Sequence, residues 1–197
     1  MKKQVIGLTG GLGSGKSSVL ALLKKKGVAV MDADALVHEA LAPKGRGHRA
    51  VVQWLGPSVL KPDGTLDRVF LADRVFRNFK TRRKLESLLH PLVRGQFQKR
   101  IAGHRTGLLV LDVPLLFEAG FNKMVDKTVV VWAPQKERLR RLFQGRGMSR
   151  NDALRRLAAQ WPLVQKRRLA DEVIDNSGSA QDLEKNVECF LRKIEIP

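Results

Sequence analysis

Cysteine is almost missing from this sequence. Cys189 is the single cysteine among 197 residues, which excludes an intrachain disulfide and a zinc cluster built from cysteines. Free cysteines are among the most buried residue types in folded proteins. We therefore expect the Cys189 thiol to be structural and to lie in the core.

Long hydrophobic runs are also missing. The longest, residues 107–113 and 128–132, are far shorter than the roughly 20 residues that a membrane-spanning helix requires. The apolar run after Lys2 and Lys3 leads directly into a glycine loop, without the small-residue cleavage site that ends a signal peptide. The sequence therefore predicts a cytoplasmic protein that does not span a membrane.

Acidic residues are few, because 19 Asp and Glu face 37 Lys and Arg, for a formal net charge of +18. Such a field attracts polyanions, whether nucleic acid, anionic lipid or a phosphate-rich small molecule. The basic residues form separate clusters at 24–26, 77–84, 138–146 and 166–168, so a single binding arm is not expected. For any one cluster, a solvated helix face is at least an equal explanation.

Short β-type runs alternate with longer helical segments along the chain. The β-type runs are residues 4–9, 28–32, 108–113, 127–132 and 172–175. Two of them are almost continuously apolar, as in parallel strands that are buried on both faces. We therefore predict a three-layer α/β fold around a five-stranded parallel sheet.

Two helical stretches interrupt this predicted core. The segment between the second and third runs is too long for a crossover loop, and its helical patterns lie at 35–41, 48–55, 69–76 and 80–101. A second, basic stretch has the length and charge of a mobile lid over phosphates. We predict a nucleotide-binding core at 1–34, 106–134 and 171–197, a helical insertion at 35–105 and a lid at 135–170.

A glycine-rich phosphate loop follows the first run. It reads Gly10-Gly11-Leu12-Gly13-Ser14-Gly15-Lys16-Ser17, which is glycine, four residues, then Gly-Lys-Ser, between a strand and a helix. In such loops the backbone N–H groups surround the phosphates, lysine reaches the β- and γ-phosphates, and serine ligates Mg²⁺. We expect ATP and Mg²⁺ here, with nucleotide contacts from Gly11, Gly13, Ser14, Gly15, Lys16, Ser17 and Ser18.

One rival nucleotide-binding motif fails on residue identity, and a second loses support from its spacing and position. A dinucleotide fingerprint needs glycine at Lys16 or at Ser18, depending on where the count begins. A GTP-binding switch protein would carry Asn-Lys-x-Asp after a buried strand, whereas residues 122–126 are one residue too long and precede their strand. A small kinase that transfers the γ-phosphoryl group to a hydroxyl remains.

Carboxylates follow two of the predicted strands. Asp32 ends the second run and Asp34 lies two residues further on. One of them could accept the proton of an attacking hydroxyl or help to hold Mg²⁺, and the other could cap the next helix. Asp112 ends the apolar third run, as does the aspartate that holds Mg²⁺ in many phosphate-loop proteins. His90, before Pro91, is compatible with a catalytic role or with a helix boundary.

Together these residues resemble the dephospho-coenzyme A kinase family. The resemblance spans nearly the whole chain and comprises the blocks Leu8–Ser17, Asp32-Ala33-Asp34 with His38, His90–Arg94, Asp112–Glu118, Arg155 with Ala159-Gln160, and Ala170–Gly178. It implies a nucleotide-kinase-like phosphate-loop fold with a helical CoA domain and a lid. It also implies transfer of phosphate from ATP to the ribose 3′-hydroxyl of dephospho-CoA.

The resemblance assigns roles to individual residues. It implies Asp34 as general base, with Asp32 structural, and Asn176 and Gly178 near the adenine of ATP. The acceptor site implied by the family pattern comprises Asp34, His90, Arg94, Asp112, Pro114, Leu115, Leu116 and Glu118.

One segment departs from the family pattern. Many relatives have arginine where Gly145 stands, so Arg138, Arg141 and Arg146 all remain candidates for contact with the transferring phosphoryl group; we select Arg146, its neighbour. Nucleosides or nucleoside monophosphates remain alternative acceptors, and a nucleic-acid-binding ATPase remains the alternative from another class, although no nucleic-acid or membrane partner is expected.

Overall fold

A computed structural model describes residues 3–145, 147–158 and 160–194. Within these ranges the backbone contacts divide the chain into two units. The first combines residues 3–31 with 104–194 and holds most of the β-sheet. The second, Asp32–Gly103, consists mainly of helices.

The sheet has five strands in the order β2-β3-β1-β4-β5. β1 pairs in parallel with both β3 and β4, and β4 pairs in parallel with β5. The strands are β1 (Gln4–Gly10), β2 (Ala29–Asp32), β3 (Leu108–Asp112), β4 (Lys127–Trp132) and β5 (Glu172–Asp175). The predicted α/β fold with a five-stranded parallel sheet is therefore confirmed, with each boundary within one residue.

One face of the sheet packs against α1 (Lys16–Lys25) and α9 (Ala180–Ile194). Apolar residues recur at helical spacing on α9, and each fully buried side chain of this size contributes about 1.5–3 kcal/mol to stability. The buried face of α9 comprises Leu183, Val187, Phe190, Leu191 and Ile194. Cys189 lies outside this face and is exposed, so the prediction of a buried thiol was wrong.

The second unit packs its helices around a small apolar cluster formed by Val51, Val59, Leu66 and Leu71. Its elements are α2 (Ala33–Ala40), α3 (Arg46–Leu55), a 3₁₀ turn (Pro57–Val59), α4 (Arg68–Arg77) and α5 (Phe79–Gly103). Pro91 lies inside α5, so the alternative of a helix boundary at this proline was wrong. Buried Leu89, Val93 and Phe97 hold the helix in place on both sides of Pro91.

The predicted lid sequence is mostly helical where the structure describes it. It contains α6 (Gln135–Arg140), a π-helical turn (Arg141–Gly145), α7 (Arg150–Ala158) and α8 (Leu163–Leu169). A further 3₁₀ turn, Phe121–Met124, precedes β4. No helix in the described part of the chain is long and apolar enough to cross a membrane.

Candidate active site

The phosphate loop connects β1 directly to α1. Gly13 and Gly15 have φ angles of 78° and 83°, in the left-handed region that side chains other than glycine rarely adopt. Gly15 is also the N-cap of α1, and no side chain caps the helix there. The first turn of α1 therefore presents its backbone N–H groups and the positive end of its dipole, as anion binding requires.

Neighbouring elements pack closely against this loop. A Cβ atom added to Gly15 would collide with Asn176 Nδ2, and one added to Gly13 would lie 2.7 Å from the Arg138 carbonyl oxygen. Real Cβ atoms do not approach this closely, so glycine is required here for packing as well as for conformation. The loop is thus held from the end of β5 and from α6.

Asn176 holds the loop from the end of β5. Its side chain is nearly buried, and Nδ2 donates a hydrogen bond of 2.8 Å to the Ser14 carbonyl oxygen. Its backbone N–H donates to Trp132 O at 2.7 Å, which ties it to β4. Gly178 follows two residues later, where an added Cβ would lie 2.7 Å from Asp182 Oδ2.

Lys16 forms an ion pair with Asp112, which lies at the end of β3. Lys16 Nζ donates to Asp112 Oδ1, and both side chains are largely buried, with 19% and 10% exposed. Sheet register places Asp112 beside Leu8, two residues before the loop. The structure thus brings together the lysine and the carboxylate that the sequence singled out separately.

Hydroxyl groups complete this part of the site. Ser17 and Ser18 are exposed on the first turn of α1. Ser14 is fully buried, and its Oγ has no hydrogen-bond partner in the described chain.

The described residues hold no group of three or more His, Cys, Asp or Glu side chains able to bind a metal. A serine hydroxyl and one carboxylate nevertheless fit Mg²⁺, which commonly takes its other ligands from phosphates and water.

The segment after Asp112 contains both buried and partly exposed residues. Pro114 O accepts a hydrogen bond from Thr9 Oγ1 at 3.0 Å, and Leu115 is partly exposed. Leu116 is fully buried and packs against Gly7. Its side chain therefore packs in the core, and its assignment to the acceptor site stays a prediction.

Glu118 lies just below the surface, with 13% of its side chain exposed. Its Oε1 accepts hydrogen bonds from Lys166 Nζ at 2.8 Å and from the Trp161 backbone N–H at 2.9 Å. Lys166 was part of a basic cluster for which a solvated face was an equal explanation, yet it is fully buried. The missed signal is its spacing, since Lys166 lies three residues after buried Leu163 on the same helix.

In the helical unit, Asp32 and Asp34 both lie exposed at the start of α2. Asp32 is the N-cap of α2, and its Oδ1 accepts from the backbone N–H groups of Asp34 and Ala35 at 2.8 and 3.3 Å. Asp34 lies in the first turn and is exposed. Asp32 is therefore engaged in local structure.

Comparison with known proteins decides the family. The sequence profile described as dephospho-CoA kinase matches residues 4–182. The chain belongs to the dephospho-CoA kinase family. A dephospho-CoA kinase from Symbiobacterium thermophilum is 42% identical over 192 residues, which cover 96% of this chain and 80% of that protein.

Solved structures agree with this family. A dephospho-CoA kinase from Campylobacter jejuni superposes with a TM-score of 0.72 at 25% identity, covering 98% of this chain and 97% of that one. A Thermus thermophilus crystal structure gives a TM-score of 0.83 at 36% identity, covering 98% and 99%. The described fold is thus that of a dephospho-CoA kinase along nearly its full length.

The family's His-Pro motif lies within α5. His90 and Arg94 are one helical turn apart, and both are partly buried. Burial lowers the pKa of His90; Glu86 opposes this effect, and the positive charge of Arg94 adds to it. The lowered pKa favours the neutral imidazole, which can both donate and accept a hydrogen bond.

Two arginines of the predicted lid, one on α6 and one in the turn after it, contact the phosphate loop or the Asn176 that holds it. Arg138 is buried, its Nε donates to Leu12 O at 2.9 Å, and its burial lowers its pKa. Arg141 donates to Asn176 O at 2.9 Å and to Glu137 at 3.1 Å. Arg146, which we selected from the sequence, lies outside the described residues.

Proposed function

We propose that this protein transfers the γ-phosphoryl group of ATP to the ribose 3′-hydroxyl of dephospho-CoA, yielding coenzyme A and ADP. The observation that carries the proposal is the glycine loop with Lys16 paired to Asp112, on a chain that matches the dephospho-CoA kinase family from residue 4 to residue 182. The loop supports ATP as donor, and the family supports the acceptor.

Phosphoryl transfer of this kind depends mainly on positioning and electrostatics. The backbone N–H groups of the loop hold the β- and γ-phosphates. Lys16 exchanges its bond to Asp112 for the phosphates and neutralises the charge that grows on the transferring group. The structure supports this role because the loop is already held in shape by Asn176 and Arg138.

The chemical step forms one bond and breaks one. The 3′-oxygen of the acceptor forms a bond to the γ-phosphorus while the bond from the γ-phosphorus to the β,γ-bridging oxygen breaks, so that ADP leaves. We assign the departing hydroxyl proton to Asp34, because the family pattern gives this role to the second aspartate and Asp32 already accepts two backbone N–H groups as the cap of α2. A carboxylate in this role accelerates transfer by about 10² to 10⁴-fold.

Ser17 and Asp112 would hold Mg²⁺ when it is bound. The ion would neutralise charge on the phosphate oxygens. In the chain alone, Lys16 provides the counter-charge for Asp112.

Acceptor binding is assigned to residues from two separate parts of the sequence. Asp112, Pro114, Leu115 and Glu118 form one group, and His90 and Arg94 on α5 form the other. Asn176 and Gly178 are assigned to the adenine end of ATP. Arg138 joins Arg146 as a candidate for the phosphoryl group, because it already contacts the loop.

An acceptor panel tests the proposal. ATP consumption would be followed with dephospho-CoA, adenosine, adenosine monophosphate and single-stranded RNA, each as the only addition. We expect a strong response to dephospho-CoA alone. A comparable response to a nucleoside or its monophosphate would change the acceptor, and ATP hydrolysis stimulated by RNA and suppressed by salt would favour a nucleic-acid-dependent ATPase.

Two deoxy analogues of dephospho-CoA would test which ribose hydroxyl accepts the phosphate. The 3′-deoxy analogue of dephospho-CoA should bind without accepting phosphate, whereas the 2′-deoxy analogue should still accept it. Phosphorylation of the 3′-deoxy analogue would contradict the proposed position of transfer.

A further inference from the structure

Lys166 is a fully buried lysine outside the residues assigned above. Burial lowers the pKa of its ammonium group; Glu118 opposes this effect, and the positive charges of Lys16 and Arg138 add to it. An ammonium ion in such a position is costly unless it is paired and hydrogen-bonded. A hydrophobic residue at this position of α8 would avoid that cost, so the lysine calls for a functional explanation.

The contacts of Lys166 all lead to the segment that follows β3. Its Nζ donates to Pro114 O at 2.7 Å and to Glu118 Oε1 at 2.8 Å. Pro114 O also accepts from Thr9 Oγ1 at 3.0 Å. Lys166 thus fixes both ends of residues 114–118 and joins them to α8 and to the end of β1.

Glu118 is held through only one of its two oxygens. Oε1 accepts from Lys166 Nζ and from the Trp161 N–H, whereas Oε2 is buried and has no hydrogen-bond partner in the described chain. A buried carboxylate oxygen without a donor is costly. Since the side chain lies just below the surface, a ligand can supply the donor.

The charges around Glu118 define the kind of donor. A carboxylate repels the phosphates of ATP and of the acceptor, so its partner is a neutral hydroxyl or amide N–H. The ribose and the amide-bearing tail of the proposed acceptor offer such groups, whereas ATP is held by the loop through its phosphates.

We infer that Lys166 is a positioning residue for acceptor binding: it holds Glu118 by Oε1 so that Oε2 accepts a hydrogen bond from a neutral hydroxyl or amide N–H of the acceptor. The inference rests on the proposed function. It predicts that loss of either side chain weakens binding of the acceptor and leaves binding of ATP unchanged.

Steady-state kinetics of the full chain would test this role with Lys166→Met, Glu118→Gln and the double variant. We expect the KM for dephospho-CoA to rise about 10- to 100-fold, as for a lost hydrogen bond to a charged group, with the KM for ATP within about twofold of wild type. The double variant should resemble the single ones, because both act through one carboxylate.

Lys193→Met is the matched control. Lys193 pairs with Glu172 at 3.3 Å on the surface, with 58% of its side chain exposed. Its loss should leave both KM values unchanged, because exposed ion pairs contribute little.

A merely structural role for Lys166 gives a different pattern. Partial unfolding would reduce the active fraction, which lowers the apparent kcat and leaves both KM values at their wild-type levels. That result, or additive effects in the double variant, would overturn the inference.

Glu118→Gln keeps the test decisive if Lys166→Met does not fold. The glutamine oxygen can still accept from Lys166 and Trp161, while its NH₂ group replaces the free acceptor Oε2 with a donor. An unchanged KM for dephospho-CoA in this variant would overturn the inference. A wild-type protein that does not phosphorylate dephospho-CoA would instead contradict the proposed function.

Discussion

The phosphate loop and the start of α2 hold their candidate functional residues in place in different ways. In the loop, Gly13 and Gly15 are fixed by close backbone packing, and Asn176 and Arg138 donate hydrogen bonds to its carbonyl groups. At the start of α2, Asp32 is used as a cap and Asp34 is exposed. The phosphate-binding part is thus preorganised by buried contacts, whereas the proposed base lies at an exposed helix end.

The largest expected effect on turnover is that of a substitution at exposed Asp34. Asp34→Asn should lower kcat by about 10² to 10⁴-fold, because the amide cannot accept the hydroxyl proton. Steady-state assays together with circular dichroism would check that activity falls while the fold is kept.

Asp32→Asn is the matched control for Asp34. Asparagine caps helices as well as aspartate does, so activity and stability should remain near wild type. Equal losses in the two variants would show that the two aspartates do not have separate roles.

Lys16→Met should have the next largest effect. Removing the charge that stabilises the transferring group should lower kcat by about 10² to 10³-fold, as for other lost electrostatic contacts to a transition state. Single-turnover measurements would separate this loss from weaker ATP binding. Turnover like that of wild type would remove Lys16 from the mechanism.

Asn176→Ala tests the preorganised loop itself. Because Ser14 O would lose a buried hydrogen bond, we expect a stability loss of about 1–3 kcal/mol and a higher KM for ATP. Asn186→Ala is the matched control, since Asn186 Nδ2 donates to Asp175 O at 2.9 Å at an exposed position. Chemical denaturation should show the larger loss for Asn176; equal losses would mean that the buried contact does not hold the loop.

Cys189→Ser should have the smallest effect. The thiol is exposed on α9, away from the buried face of this helix, so stability should change by less than about 0.5 kcal/mol. A thermal melt would check this, and a large destabilisation would place the thiol in the core after all.

Sequence patterns were sufficient where a local rule controls the structure. The strands followed from apolar runs, and the loop followed from a spacing that only a strand–loop–helix connection satisfies. An aspartate cap at the start of α2 was also predictable, because aspartate at a helix start has a local partner. The choice of Asp32 over Asp34 came from the family resemblance.

Long-range contacts explain what the sequence did not reveal. Lys166 pairs with Glu118 across 48 positions of the chain, and Leu116 turns inward to pack against Gly7. α5 continues through Pro91 because burial of the apolar residues before and after it stabilises the helix by more than the lost hydrogen bond costs. Such outcomes depend on tertiary packing that no local pattern encodes.

The position of the transferred phosphate tests the central claim most directly. Phosphorus NMR of the product formed from ATP and dephospho-CoA would show where the new phosphate is attached. We predict a new monoester on the ribose 3′-oxygen, formed in equal amount with ADP. A phosphate attached elsewhere, or ADP formed together with free inorganic phosphate alone, would contradict the account.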